Sequence, residues 1–451
     1  MSIALVILAA GKGTRMNSDL PKVLHEIAGA PMLVHAMQAG ATLSPERTVV
    51  VAGHGFEAVQ KAANDYDPEA IVVNQAEQNG TGHAVMVTRE ALEGFDGDVI
   101  VLYGDTPFIQ PKTLQRMIDA RAKNAVVVLG FQADATEKYG RLIMQEDQLS
   151  EIVEFADATS EQRTVTFCNS GVMLAKSETL FKLLDATSND NSSGEYYLTD
   201  VVKVAQELGL TATAISCDAS ETMGVNSRAH LAEAEAAFQA RARATLMNNG
   251  VTLVDPNSVY LSLDTVIGRD SVIEPNVYFG PEVTIESGTR IRAFSHLEGA
   301  HVSRGGTVGP YARLRPGAEL AEDVHIGNFV EIKNALIDQG AKVNHLSYIG
   351  DASVGEKTNI GAGTITCNYD GVMKHKTTIG KNAFIGSNTM LVAPVAVGDD
   401  AMTASGSVVT KNVEAGALAI ARAPQVSKPG MARKLFEMLR AKKAKMAKGS
   451  K

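Results

Sequence analysis

Large apolar side chains recur at every sixth position through much of the C-terminal half. Ile267, Ile273, Phe279, Ile285, Ile291 and Leu297 form one run; Val308, Leu314, Leu320, Ile326 and Ile332 a second; Ile379, Ile385, Leu391 and Val397 a third. Helices repeat every 3.6 residues and strands every 2, so neither alone produces this spacing. A period of six marks a parallel β-helix, in which each aliphatic points into a prism and a small residue often turns the next corner. The chain has 40 glycines and no tryptophan, which suits tight backbone repeats better than an aromatic core. With three hexapeptides per coil, residues eighteen apart should stack on adjacent coils.

That stacking rule turns two exceptions into a candidate site. The position after the aliphatic is small at Gly309, Ala321 and Gly327 but cationic at Arg315 and Lys333, one coil apart. Their backbones are expected about 4.8 Å apart, where like charges repel unless an anion lies between them. The pair therefore reads as a phosphate site. The period slips between Ile332 and Val343, and His345 stands in the irregular run Asn344 to Tyr348, with Glu331 close in sequence as a candidate to orient it. A second interruption, Thr366 to Thr377, reads as a loop inserted between coils and contains Cys367-Asn368-Tyr369-Asp370-Gly371.

The first 226 residues follow a different rhythm. Short β-branched runs (Ile3 to Leu8, Thr48 to Ala52, Ile71 to Val73, Val99 to Tyr103, Val126 to Leu129) alternate with helical patterns around Met32 to Ala41, Phe56 to Ala63, Gly82 to Glu93 and Pro111 to Ala122. This predicts a Rossmann-like α/β domain on a mostly parallel sheet, with ligands beyond the strands' carboxyl ends. At the first such end lies Leu8-Ala9-Ala10-Gly11-Lys12-Gly13-Thr14-Arg15-Met16, followed by Pro21-Lys22. It lacks the four-residue gap of a P-loop, and Met16 stands where a dinucleotide fingerprint needs its third small residue. What remains is a glycine-rich loop flanked by cations, suited to phosphates. Tyr103-Gly104-Asp105 ends another strand and should face the same pocket, where Asp105 is the candidate metal ligand.

Between the two regions, Ser227 to Asn249 contains neither Gly nor Pro and is rich in alanine, and Asn248-Asn249-Gly250 closes it. This predicts a helix of roughly 35 Å at about 1.5 Å per residue. The expected organisation is residues 1–226, a helical arm 227–250, and a β-helix over 251–451 whose tail from Arg433 onward is rich in Lys and Arg. That tail reads as a solvated, partly disordered end, with a cationic contact to CoA or a neighbouring subunit as the alternative. The net charge of −9 argues against a nucleic-acid partner, and three scattered cysteines (Cys168, Cys217, Cys367) argue against a disulfide framework. No basic leader precedes the first strand and no apolar stretch approaches the roughly twenty residues of a membrane span, so a cytoplasmic protein without a membrane partner is expected.

The motif L-x-x-G-x-G-T-x-M with its following Pro-Lys resembles the signature of the sugar-1-phosphate nucleotidyltransferases. The resemblance implies that Leu8, Ala9, Ala10 and Gly11 wrap the nucleotide while Arg15 and Lys22 neutralise its triphosphate. It gives Gln75, Gly80 and Thr81 to a uracil base, and Tyr103, Gly104 and Asp105 to the pocket wall. Gly140, Glu154 and Asn169 are given to the sugar, and Mg2+ to Asp105 with Asn226 of Gly224-Val225-Asn226. The hexapeptide part is similar to the acyltransferases built on a left-handed, trimeric β-helix. Together the two sets resemble the bacterial bifunctional N-acetylglucosamine-1-phosphate uridylyltransferases and glucosamine-1-phosphate acetyltransferases, in which His345 would be the general base. The acceptor would meet Arg315, Lys333, Tyr348, Asn359, Asn368 and Tyr369. Acetyl-CoA would meet Ala362, Ser387, Ser405 and Arg422, with Ser405 standing where the family pattern has alanine. UTP and acetyl-CoA are then the substrates, Mg2+ the cofactor and a homotrimer the assembly. Two rivals stay open from sequence: a single-activity nucleotidyltransferase whose β-helix is a scaffold, and a regulator that binds nucleotide without turnover.

Overall fold

The first strand, β1 (Ile3–Ala9), is buried at all seven positions, as a central strand covered on both faces must be. Its side chains alternate between two cores: Ala4, Val6 and Leu8 enter one apolar cluster, Ile3, Leu5 and Ile7 the other. In the computed structural model, which describes residues 2–448, β1 centres a sheet with β2 (Arg47–Ala52), β3 (Ile71–Asn74), β4 (Asp98–Tyr103), β5 (Val126–Gln132), β8 (Phe167–Lys176) and β9 (Ala212–Cys217). The order is β9-β5-β8-β4-β1-β2-β3. Only β8 runs antiparallel along this path, against both β4 and β5. A hairpin of β6 (Arg141–Gln145) and β7 (Gln148–Val153) attaches to β8. Leu8 lies in register with Tyr103, so the strands ahead of the glycine loop and of Asp105 end side by side.

Two sequence readings change here. The helix expected from Gly82 to Glu93 is regular only over Thr81–Met86. Beyond it the Thr88 hydroxyl donates to the Val85 carbonyl (2.6 Å), a local bond that competes with the helical ladder, and turns follow. The hairpin and β8 escaped a reading built on βαβ alternation alone.

The chain divides into two units. One runs through Thr265 and includes Tyr278–Glu282; the other holds Val266–Val277 and continues from Val283. The helix Arg228–Asn248, capped where Ser227 accepts from the His230 N–H, belongs to the first unit. There Ala234 and Phe238 share a cluster with Ile27, Met32 and Phe108. The Gln239 amide both donates to and accepts from the Leu261 backbone, at 2.7 and 3.0 Å.

In the second unit the period of six becomes a cylinder of parallel strands. Ile273, Ile291, Val308, Ile326, Val343 and Ile360 follow one another in register along one face, and all are nearly inaccessible. Coils are not uniformly eighteen residues: Ile285 pairs Val302 and Leu320 pairs Ile337 after seventeen. Ile360 pairs Ile385, a wider interval that contains the inserted loop. The loop is a small hairpin closed by an antiparallel bridge between Tyr369 and Lys374. Over its described residues the basic tail is solvated, as expected, but regular and not disordered; residues 449–451 lie outside the described residues. Met431–Lys448 is one helix, consistent with a run free of Gly and Pro, and every residue from Met431 to Ala447 is exposed.

Candidate active sites

A cleft of about 270 Å³ opens beyond β1 and β4, and its wall contains Leu8, Ala10, Gly11, Lys22, Gln75, Gly80, Thr81, Tyr103 and Asp105. Gly104 lies beneath, its N–H donating to the Leu8 carbonyl at 3.0 Å. Gly13 shapes the loop. Its φ of +59° is a left-handed conformation, and an added Cβ would sit 2.5 Å from the Lys22 Cβ, so both backbone and space ask for glycine. The Gln75 amide donates to the Gly80 carbonyl (3.1 Å), and the Leu198 N–H donates to the Thr81 hydroxyl (3.1 Å). Gln78, which sequence reasoning passed over, donates to the Ala10 carbonyl at 2.6 Å and so ties the base segment to the phosphate loop.

The electrostatic centre is Lys22. Its ammonium pairs with the Asp105 carboxylate and donates to Asn226 Oδ1 at 3.0 Å. The Val225 N–H donates to the Asp105 carbonyl at 3.0 Å, which fixes Gly224-Val225-Asn226 beside the aspartate although the two are more than a hundred residues apart. Two oxygen donors thus converge on one positive point. That is a fit for Mg2+, which commonly takes one or two protein oxygens and completes its shell with water and substrate phosphates. Among the described residues no cluster of three or more His, Cys, Asp or Glu offers an all-protein metal cage.

Gly140, Glu154 and Asn169 also meet. A Cβ on Gly140 would lie 3.5 Å from a Glu154 carboxylate oxygen and 3.6 Å from the Asn169 Cβ. Burial pushes the Glu154 carboxyl up, with Asp200 and Asp157 adding to it, while the bond from the Thr199 hydroxyl (3.2 Å) opposes. Burial, then the Asp105 and Glu154 carboxylates, push the Tyr103 phenol far up, so it stays a neutral donor. Arg15 is exposed on the short turn Thr14–Met16 and makes no hydrogen bond or ion pair with the described residues.

On the β-helix, Leu314 pairs Ile332, so Arg315 and Lys333 occupy neighbouring coils as the period requires. The surroundings correct one expectation. Glu331 accepts from Arg315 Nη1 at 2.8 Å and does not orient the histidine. That partner is Asn328, in register with His345, whose Oδ1 lies 2.7 Å from His345 Nδ1. An amide oxygen only accepts, so Nδ1 carries the proton and Nε2 is left with its lone pair. Lys333 is held below its usual range first by Lys374 of the inserted loop, then by Arg315. Three cations therefore crowd one spot, and Lys374 was missed because the loop has no period to place it. Asn368 donates to the Asp351 carboxylate and lies 3.5 Å from the Tyr348 hydroxyl; Asn334 donates to the same carboxylate at 2.6 Å. Tyr369 is exposed, its hydroxyl donating to the Gly371 carbonyl. Asn359 sits between Lys342 and Phe384 in register.

Ala362, Ser387, Ser405 and Arg422 form a column across successive coils. The Asn388 N–H donates to the Ala362 carbonyl (2.7 Å) and the Gly406 N–H to the Ser387 carbonyl (2.8 Å). Arg422 Nη1 donates to the Ser405 carbonyl (2.9 Å).

Residues 5–224 match the model of the MobA-like NTP transferase domain, and residues 264–299 and 376–411 match the bacterial transferase hexapeptide of six repeats. Over the full chain, a bifunctional protein GlmU of Ruegeria sp. (strain TM1040) is 69% identical across 449 residues, covering 100% of both chains. The chain belongs to the bifunctional GlmU family. The GlmU protein of Ruegeria pomeroyi is also 69% identical, over 99% of this chain and 100% of that one. That of Roseobacter denitrificans is 64% identical over 100% of both. Membership in the GlmU family makes the first half a nucleotidyltransferase and the second a left-handed β-helix transferase, two activities in one enzyme.

Proposed function

We propose that this GlmU-family chain makes UDP-N-acetylglucosamine in two steps, one in each unit. Two complete side-chain sets, one around Lys22, Asp105 and Asn226 and one around His345, Arg315 and Lys333, carry the reading.

At the β-helix, the phosphate of glucosamine-1-phosphate lies among Arg315, Lys333 and Lys374, with Tyr348, Asn359, Asn368 and Tyr369 about the sugar. Acetyl-CoA follows the column Ala362, Ser387, Ser405 and Arg422. The sugar amine attacks the thioester carbonyl carbon as His345 Nε2 takes its proton; the C–N bond forms, the C–S bond breaks and CoA leaves as its thiolate. Asn328 keeps the imidazole in the tautomer this step needs.

In the α/β unit, a phosphate oxygen of N-acetylglucosamine-1-phosphate attacks the α-phosphorus of UTP, and the bond to the β-phosphate breaks to release pyrophosphate. Lys22 and Arg15 neutralise the triphosphate while Gly140, Glu154 and Asn169 hold the sugar. Mg2+ held by Asp105 and Asn226 would offset charge on the attacked and leaving phosphates. The reading includes a homotrimer built through the β-helix, a bacterial cytoplasmic setting, and the division 1–226, 227–250 and 251–451.

Separated assays on wild type and His345→Ala test it: thiol release from acetyl-CoA with glucosamine-1-phosphate, and pyrophosphate release from UTP with N-acetylglucosamine-1-phosphate. Loss of thiol release alone is expected. A wild-type protein that releases no thiol would reduce the β-helix to a scaffold.

A further inference from the structure

The terminal helix Met431–Lys448 presents an apolar face, Met431 to Leu439, that is exposed among the described residues. Leu435, Phe436, Met438 and Leu439 are 46%, 61%, 56% and 51% exposed. It follows the exposed segment Ala423 to Gly430, in which Pro424 and Pro429 interrupt regular structure. Its charge is opposite to that of the remainder. Seven Lys or Arg against the single acid Glu437 give the helix +6, so the other residues of this −9 chain together carry −15.

Helical geometry sorts these groups. Met431, Leu435 and Met438 follow each other at intervals of four and three on one side, with Leu439 beside them. Arg433, Glu437 and Arg440 lie opposite. Lys442, four residues after Met438 and seven after Leu435, falls within the apolar stripe. In a wholly apolar protein groove that ammonium would be buried without a partner at high cost. At the headgroup level of a bilayer its stem lies along the apolar boundary while the charge reaches lipid phosphate. A nucleic-acid reader would use the cations but leave the Leu, Phe and Met face uncovered.

We propose that this helix lies on an anionic phospholipid surface, its Met431–Leu439 face entering the acyl boundary and the cations from Arg440 to Lys445 meeting the headgroups. It is a surface element and not a spanning one, since no described helix is long and apolar enough to cross a membrane.

Sedimentation of the full-length protein with phosphatidylcholine vesicles, and with vesicles also containing phosphatidylglycerol, tests the proposal. Binding to the anionic vesicles alone is expected, weakening at roughly 0.5 M salt as surface electrostatics are screened. The variant Lys442→Glu, Lys443→Glu, Lys445→Glu should lower partitioning at least about tenfold. The pair Leu435→Ser, Phe436→Ser should lower it also with every charge retained, and pyrophosphate release by both variants should match wild type. Three outcomes overturn the proposal: no sedimentation of wild type with anionic vesicles at low salt, unchanged partitioning of the charge variant, or a helix-dependent association between copies that occurs in place of vesicle binding.

Discussion

At the scale of single residues, function rests on which partner each polar group finds. His345 donates through Nδ1 to the Asn328 amide oxygen. Asn328→Leu should therefore cut thiol release about a hundredfold, by releasing the tautomer that general-base catalysis requires, with pyrophosphate release untouched. Asn328→Asp should retain activity but move the rising limb of the pH profile upward, because a carboxylate stabilises the imidazolium. Glu154 supplies a second pH test. Burial raises its pKa in the fold, so between the ordinary glutamate value and that raised value the folded chain holds a proton that the unfolded chain has lost. Its contribution to stability is therefore lost as pH rises through this window. The KM for the sugar phosphate should climb as pH falls into the same window, and titrations of wild type against Glu154→Gln would show it. Sequence alone named His345 and Glu154 through resemblance. It could not find Asn328, whose place depends on a seventeen-residue coil where the period suggests eighteen, and it gave Glu331 the role that this register denies.

At the scale of elements, the repeat and the glycine loop were legible for different reasons. The repeat could be read because every sixth side chain must fill the same prism, and Ile332, fully buried, is typical. Ile332→Ala should cost about 2–5 kcal/mol, to be read from denaturant unfolding of the β-helix. The glycine loop could be read because its spacing excludes other phosphate loops, and the constraint is visible at Gly13. Gly13→Ala would place an L-residue at φ +59° and press its Cβ against the Lys22 stem. A loss of about 1–2 kcal/mol from the backbone alone is expected, together with a marked fall in pyrophosphate release and normal thiol release. The inserted loop was legible only as an interruption. Its attachment through Asn368 to Asp351, and the position of Lys374 beside Lys333, come from tertiary packing with no local pattern to announce it.

At the scale of the whole molecule, one polypeptide joins two units whose reactions are linked by one sugar phosphate. If the sites are independent, mixing Lys22→Met protein with His345→Ala protein should restore conversion of glucosamine-1-phosphate to nucleotide sugar, as chromatography of the products would reveal. Failure of the mixture, with each variant retaining its other half-reaction, would instead require transfer between sites within one assembly. The division into two units was foreshadowed by the change from βαβ alternation to period six. The placement of the helix Arg228–Asn248 within the first unit was not, since an alanine-rich run shows no strong face until Ala234 and Phe238 meet Met32 and Phe108. The varying length of the coils has a consequence for how such a cylinder can change over time. Seventeen-residue coils, such as Ile326 to Val343 and Val343 to Ile360, and the wider interval from Ile360 to Ile385 occur in one continuous ladder. Length differences are thus absorbed at corners, where backbone leaves the sheets, while each rung keeps its inward side chain. A lineage can graft a new loop, such as the one bearing Lys374, onto a corner without renegotiating the rungs above and below it, whereas a one-residue insertion inside a rung would turn its core side chain to water.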